Sequence, residues 1–232
     1  MNSQCRPQQS VPAANFSEAL FVFVAYLSTQ FFVLAMSDYL PASHPLVLAT
    51  LASIWCAAIA AVAAGTWINR VNGGRVIGRT RVSRLQGIAC IIGGVLVSSG
   101  AHWITLAVPD TGPVNPLLAA AYMDKGLAIQ LWWIVGTVLV APIGEEMVFR
   151  GALQPYLAAR IGNGFAILLA ALCFVAMHLS QLDGYWPAMV AIFSLGVAAG
   201  VARWRTGSLY GAILVHVAYN STVMVSILGA QS

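Results

Sequence analysis

Residues 141–150, Ala-Pro-Ile-Gly-Glu-Glu-Met-Val-Phe-Arg, set two adjacent carboxylates and an arginine directly after an apolar run at 127–140. Ionisable groups are expensive in hydrocarbon and by default mark a functional site, so each of these three needs a partner. Neighbouring helix positions point about 100° apart, so Glu145 and Glu146 cannot share a role. Glu146 and Arg150 stand at i,i+4 with the glutamate N-terminal, the better order for a pair. Arg150 is therefore expected to neutralise and orient Glu146, leaving Glu145 to face a cavity and to take and return a proton there.

Two histidines downstream also fall in apolar runs. His178 follows Phe174 by four residues, and Asn220 follows His216 by four, so each pair projects from one helix face. A carboxylate, two imidazoles and a carboxamide in one wet pocket can hydrolyse an amide. Glu145 would polarise a water steadied by His178, while His216 and Asn220 donate to the oxyanion. Alternatively the histidines hold a zinc ion that lowers the water's pKa, with Glu145 or Glu146 as third ligand. The residues do not separate a zinc mechanism from a metal-free one.

The elements that must position these groups are legible from composition. Hydrophobic residues make up 59% of the 232 and charged residues 8%, against roughly 25% charged in a soluble domain. The chain is expected to be an all-α, multi-pass transmembrane helical bundle of about seven spans, each needing about 20 apolar residues. The spans fall near 19–36, 46–68, 85–108, 127 to the Glu-Glu stretch, 164–179, 185–202 and 208–228. Ser17 and Glu18 supply a cap and a negative charge at the start of the first. Residues 1–15 read as a polar tail, 16–126 as three helices with loops, and 127–228 as the helical core carrying the chemistry. Cys56, Cys90 and Cys173 read as small buried hydrophobes, and Cys5 falls in the tail.

Orientation follows from the arginines. With the 69–84 loop in the cytoplasm, Arg70, Arg75, Arg79, Arg81 and Arg84 lie there. Alternation brings Arg6, Arg150, Arg160, Arg203 and Arg205 to the same side and leaves Lys125 alone outside. The N-terminus is then cytoplasmic and the C-terminus on the far side. The net charge of +4 is accounted for by arginines bordering anionic lipid, not by nucleic acid. At 1.5 Å per residue, His178 and His216 reach roughly 20 Å and 12 Å from the cytoplasmic starts of their helices. Glu145 shares that depth if its helix runs on to about Ala159, and Pro155 is the residue that could stop it.

In order, these motifs resemble the CPBP intramembrane proteases, which include the CAAX prenyl endopeptidases. The matching residues are Glu145-Glu146-Met-Val-Phe-Arg150, Phe174-Val-Ala-Met-His178, Phe193-Ser-Leu-Gly196-Val-Ala-Ala-Gly200, Thr206-Gly207-Ser208-Leu209 and His216-Val-Ala-Tyr-Asn220. The resemblance covers about 127–226. It implies a helical bundle around a cavity open to the cytoplasm, with the first glutamate activating water to cut a peptide bond near the cytoplasmic face. It also implies a membrane-associated or prenylated peptide or protein as substrate, and leaves the cofactor open between zinc and none. The candidate catalytic set is Glu145, Glu146, His178, His216 and Asn220, with Arg150 orienting and Phe174 and Phe193 as packing residues that are candidates to line the cavity.

Blander readings stand beside these. Gly196-x-x-x-Gly200 reads as a close helix contact, and His44 and His102 as bystanders. A proton-coupled transporter would also bury carboxylates and histidines, but the charges form one cluster rather than a path. A non-catalytic membrane protein holding a peptide in the same cavity, such as an immunity protein, is the other alternative.

Overall fold

The computed structural model describes residues 15–39, 45–71, 76–78, 81–108, 126–182 and 184–229. The expected tail apart from Asn15, His44, Arg75, Arg79, and 109–125 with Asp110, Asp124 and Lys125 lie outside the described residues. Within them the chain is helical: α1 (Phe16–Ala35), α2 (Pro45–Val71), α3 (Arg84–Ala107), α4 (Leu127–Val135), α5 (Ala141–Glu146), α6 (Gln154–Leu182), α7 (Trp186–Thr206) and α8 (Leu209–Gly229). Asn15, rather than Ser17, caps α1; its backbone N–H donates to Glu18 Oε2 at 3.0 Å.

Among the described residues, six helical stretches are long and apolar enough to cross a membrane. One of them, Leu127–Leu179, has 53 residues, which at 1.5 Å per residue is roughly 80 Å, more than twice a hydrocarbon core of about 30 Å. It breaks at Gly162, where φ is 77° and ψ 162°, a conformation that the missing Cβ permits. This stretch is therefore long enough for two of the seven expected crossings. Large apolar side chains stand exposed on the outer faces, among them Phe31, Phe32, Leu85, Leu96, Phe165 and Val225. Such a surface suits lipid and not water; the protein is an integral, multi-pass membrane protein.

From α4 to α6 the chain runs on through two wide π-helical turns, Gly136–Val140 and Met147–Leu153. Each ends just before a proline, Pro142 and Pro155. A proline removes one amide donor and crowds the preceding turn, and a wide turn re-pairs the backbone around it. The Ala141 amide accordingly reaches back to the Gly136 carbonyl, and that of Gln154 to the Phe149 carbonyl. Pro155 thus widens the helix and does not end it.

Small residues let the helices meet backbone to backbone, as expected where lipid offers no hydrophobic drive between helices. A Cβ on Gly144 would lie 2.6 Å from Ala58 Cα of α2, and one on Gly196 2.9 Å from Ala171 Cβ of α6. A Cβ on Gly94 of α3 would meet the Val215 carbonyl and lie 2.9 Å from Ala218 Cβ of α8. Residues 76–78 fold back onto the α7–α8 junction through an antiparallel bridge from Gly78 to Ser208. Arg203, assigned above to the lipid border, is instead buried. It donates to the carbonyls of Ile77 at 2.8 Å and Val76 at 3.1 Å, because that segment and the end of α7 leave carbonyls that no helix satisfies.

Gly94→Ala is expected to push α8 outward and destabilise the protein by about 1–3 kcal/mol. Gly100→Ala on the same helix meets nothing within 4 Å and is expected to be neutral or to stabilise by up to about 1 kcal/mol. Thermal unfolding of both variants in detergent checks the contrast.

Candidate active site

The site lies where α5 and the wide turn after it pack against α6, α7 and α8. Arg150, fully buried, gives Nη1 to Glu146 Oε1 at 2.8 Å and Nη2 to the Gly196 carbonyl at 2.8 Å. Its guanidinium carbon sits 4.9 Å from the Phe174 ring centroid, a cation–π contact. Glu146, also fully buried, accepts a second hydrogen bond from His216 Nδ1 at 2.7 Å on the same oxygen. A buried ion pair holds when such additional hydrogen bonds surround it.

One turn beyond Arg150, Gln154 repeats the pattern, donating Nε2 to the Gly200 carbonyl at 3.0 Å. The Gly196/Gly200 stripe is thus a close helix contact, and it also presents two carbonyls to the polar side chains of the neighbouring helix. Gln154 was not singled out from the sequence. Its spacing, four residues past Arg150 and eight past Glu146, placed it on their face of the helix and could have found it.

His216 stands between the two glutamates. Because the carboxylate of Glu146 accepts from Nδ1, that nitrogen carries a proton, and Nε2 points to Glu145 Oε2 at 3.7 Å. That distance is beyond a direct hydrogen bond. Glu145 differs from its neighbour in exposure: its side chain is 12% accessible, against 0% for Glu146. The two carboxylates, identical in type and adjacent in sequence, sit in unlike environments.

The second histidine comes in through an aromatic hub. Phe174, buried at 1%, lies 4.7 Å from the His178 ring and 5.6 Å from the His216 ring, both edge to face. His178 gives its Nδ1 hydrogen to the Phe174 carbonyl at 2.8 Å, since a carbonyl only accepts. Nε2 of this half-buried ring is then the nitrogen left to act. Phe193 is half-buried on α7, one turn from Gly196.

Asn220 is placed differently. Its Nδ2 donates to the Thr137 carbonyl at 2.9 Å. In the wide turn the amide five residues on from Thr137 would be that of Pro142, which has none. Asn220 thus caps the carbonyl that Pro142 leaves unpaired. Thr137 lies eight residues before Glu145, about 12 Å along the helix. The structure therefore gathers Glu145, Glu146, Arg150 and His216 in direct contact, with His178 next to them across Phe174, and ties Asn220 to the same helix further along.

As arranged, these donors do not fit a catalytic zinc, which takes three protein ligands. The Nδ1 hydrogens of His216 and His178 are held by Glu146 and by a backbone carbonyl, which leaves both Nε2 atoms free, as a metal-bound histidine also needs; what is missing is a gathered set of three ligands. Among the described residues no three His, Cys, Asp or Glu side chains gather to hold a metal ion. What the arrangement offers is proton transfer: an accessible carboxylate beside an imidazole whose tautomer is fixed from behind by a second carboxylate.

Residues 127–222 match the model of a protein family described as type II CAAX prenyl endopeptidase Rce1-like. That segment holds every candidate site residue named from the sequence. Over 106 residues the chain is 28% identical to an "Uncharacterized 24.3 kDa protein" of Escherichia coli. The aligned part covers 45% of this chain and 48% of that one, so the likeness spans about half of each. No solved structure matches.

Arg150→Ala leaves Glu146 buried without its cation, and breaking a buried pair from one side costs about 3–5 kcal/mol. The expected result is loss of folded protein, read as the monodisperse fraction after extraction and as the unfolding temperature of what remains.

Proposed function

We propose that this protein is an intramembrane endopeptidase that hydrolyses a peptide bond near the cytoplasmic membrane face, with water activated by Glu145. The observation that carries the reading is the inequality of the two glutamates. Glu146 is sealed and neutralised by Arg150 and His216, whereas Glu145 keeps an accessible carboxylate next to His216 Nε2. The family match over 127–222 supports the same reaction class.

In this reading Glu145 takes a proton from water as the oxygen adds to the scissile carbonyl carbon. His178 accepts from the water through Nε2, and His216, when it carries a proton on both nitrogens, donates from Nε2 to the carbonyl oxygen as negative charge develops there. Glu145 then returns the proton to the departing amine as the C–N bond breaks. Glu146 and Arg150 act behind His216, fixing which of its nitrogens faces the reaction. No step requires a metal.

The cytoplasmic placement rests on the arginine bias, with Arg70, Arg81 and Arg84 exposed at the α2 and α3 ends that flank the basic loop. The matched family is described as type II CAAX prenyl endopeptidase Rce1-like. For this chain we propose a membrane-associated or prenylated peptide as substrate.

Glu145→Gln keeps the side-chain shape and removes the base. Cleavage is expected to fall by at least the roughly 10²–10⁴-fold ascribed to general base catalysis, with expression and unfolding temperature near wild type. Comparative proteomics of membranes carrying either form should reveal an uncut precursor with the variant, and full cleavage by it would sink the role. Because the donors do not suit zinc, activity of the purified protein is also expected to survive a chelator. Loss on chelation with recovery on adding zinc would count against the metal-free route.

A further inference from the structure

Residues 76–78 join the two elements whose separation sets the contact between Glu146 and His216. On one side Val76, buried at 1%, presses on the wide turn just after Arg150. A Cβ on Gly151 would lie 2.8 Å from Val76 Cγ1. On the other side the Ile77 carbonyl accepts the backbone N–H of Leu209, the first residue of α8, at 2.9 Å. His216 lies seven residues further on, about 10 Å along the helix, on the buried face that also carries Leu209. The segment is tied to the end of α2 as well, where Asn69 Oδ1 accepts from the Ile77 amide at 3.0 Å.

The side chain that holds the segment is Arg203. Its Nη1 donates to the same Ile77 carbonyl at 2.8 Å and its Nη2 to that of Val76 at 3.1 Å. A guanidinium presents its donors in a rigid fork that reaches two successive carbonyls, where a lysine offers one compact charge. The end of α7 does not need this side chain to stop. Gly207, at φ 66°, already turns the chain and returns its amide to the Arg203 carbonyl at 2.9 Å. The guanidinium is thus spent on the neighbouring segment, and a buried charge at the edge of an apolar helix marks function before it marks packing.

We infer that Arg203 is a positioning residue of the site: by clamping residues 76–78 it fixes the start of α8 against the site helix, and so the depth at which His216 meets Glu146. Its effect on rate rests on the peptidase reading; its effect on the placement of His216 does not. The contact at stake is 2.7 Å long and decides which nitrogen of His216 faces Glu145. A looser clamp lets α8 slide, and catalysis falls steeply when a reacting group is misplaced by even about 1 Å.

The test uses the full chain in detergent, isotope-labelled at the histidine nitrogens, as Arg203→Met, Arg203→Lys, Asn69→Ala and Arg205→Ala. Asn69→Ala removes one hydrogen bond from the segment. Arg205, exposed and stacked on Trp204 at 4.9 Å, is the control. The Nδ1 proton of His216, assigned with His216→Gln, is expected at low field in the wild type because a carboxylate accepts it. It should move upfield in Arg203→Met, by less in Arg203→Lys and Asn69→Ala, and stay in place in Arg205→Ala. Turnover is read on an internally quenched peptide ending in a prenylated CAAX sequence and on a library of transmembrane peptides, well below each unfolding temperature. Arg203→Met is expected to lower kcat about 10- to 100-fold with KM within about twofold, and Arg205→Ala to leave both unchanged. A lower unfolding temperature in Arg203→Met beside an unmoved His216 proton and wild-type kcat would make the clamp structural only and overturn its role. Should Arg203→Met fail to fold, the same two readouts unchanged in both Arg203→Lys and Asn69→Ala overturn it. A wild-type chain that shows the low-field proton yet cuts neither substrate would instead defeat the peptidase reading, and the proton shifts alone then decide the placement.

Discussion

The buried contact of Arg150, Glu146 and His216 is the constraint around which the rest of the molecule is arranged. In hydrocarbon a guanidinium or carboxylate without a partner is far less stable than in water. The fold therefore has to deliver each partner at hydrogen-bond distance. Arg150 reaches Glu146 along its own helix and a carbonyl on α7, and Glu146 reaches an imidazole on α8. Three separate helical elements are locked in register by one cluster. Glu146 is consumed in this way, and Glu145 is not, which is the inequality on which the proposed role of Glu145 rests.

That cluster can form because the surrounding helices come close. Gly196 lets α7 approach Ala171 of α6 so that its carbonyl lies within reach of Arg150. Gly94 lets α3 press on α8 beside Val215, the residue before His216. Gly144, the residue before Glu145, sits on Ala58 of α2. Small residues thus flank both members of the Glu145–His216 contact, and their role is distance rather than reactivity. The 76–78 segment, held by Arg203, adds Val76 against Gly151 immediately after Arg150. Residues 76–78 are accordingly packed onto the site helix.

The two prolines show how a local irregularity is turned to use. Pro142 denies Thr137 a backbone partner, and Asn220 takes that place across the bundle. The same carboxamide is thus a brace between α8 and the site helix. Pro155, with its own wide turn, lets the helix run on without a break at that residue.

Much of this was legible in the chain itself. The apolar runs, the Glu146–Arg150 spacing and the His216/Asn220 pairing follow from helical periodicity and from the expense of charge in lipid, which act locally and leave marks in sequence. What tertiary structure decided is partnership across helices. That His216 sits between both glutamates, that Asn220 meets Thr137 and that Arg203 turns inward are contacts between residues 70 to 127 positions apart and set by crossing angles. No spacing rule encodes those angles, because they come from how small side chains on one helix let the backbone of another approach.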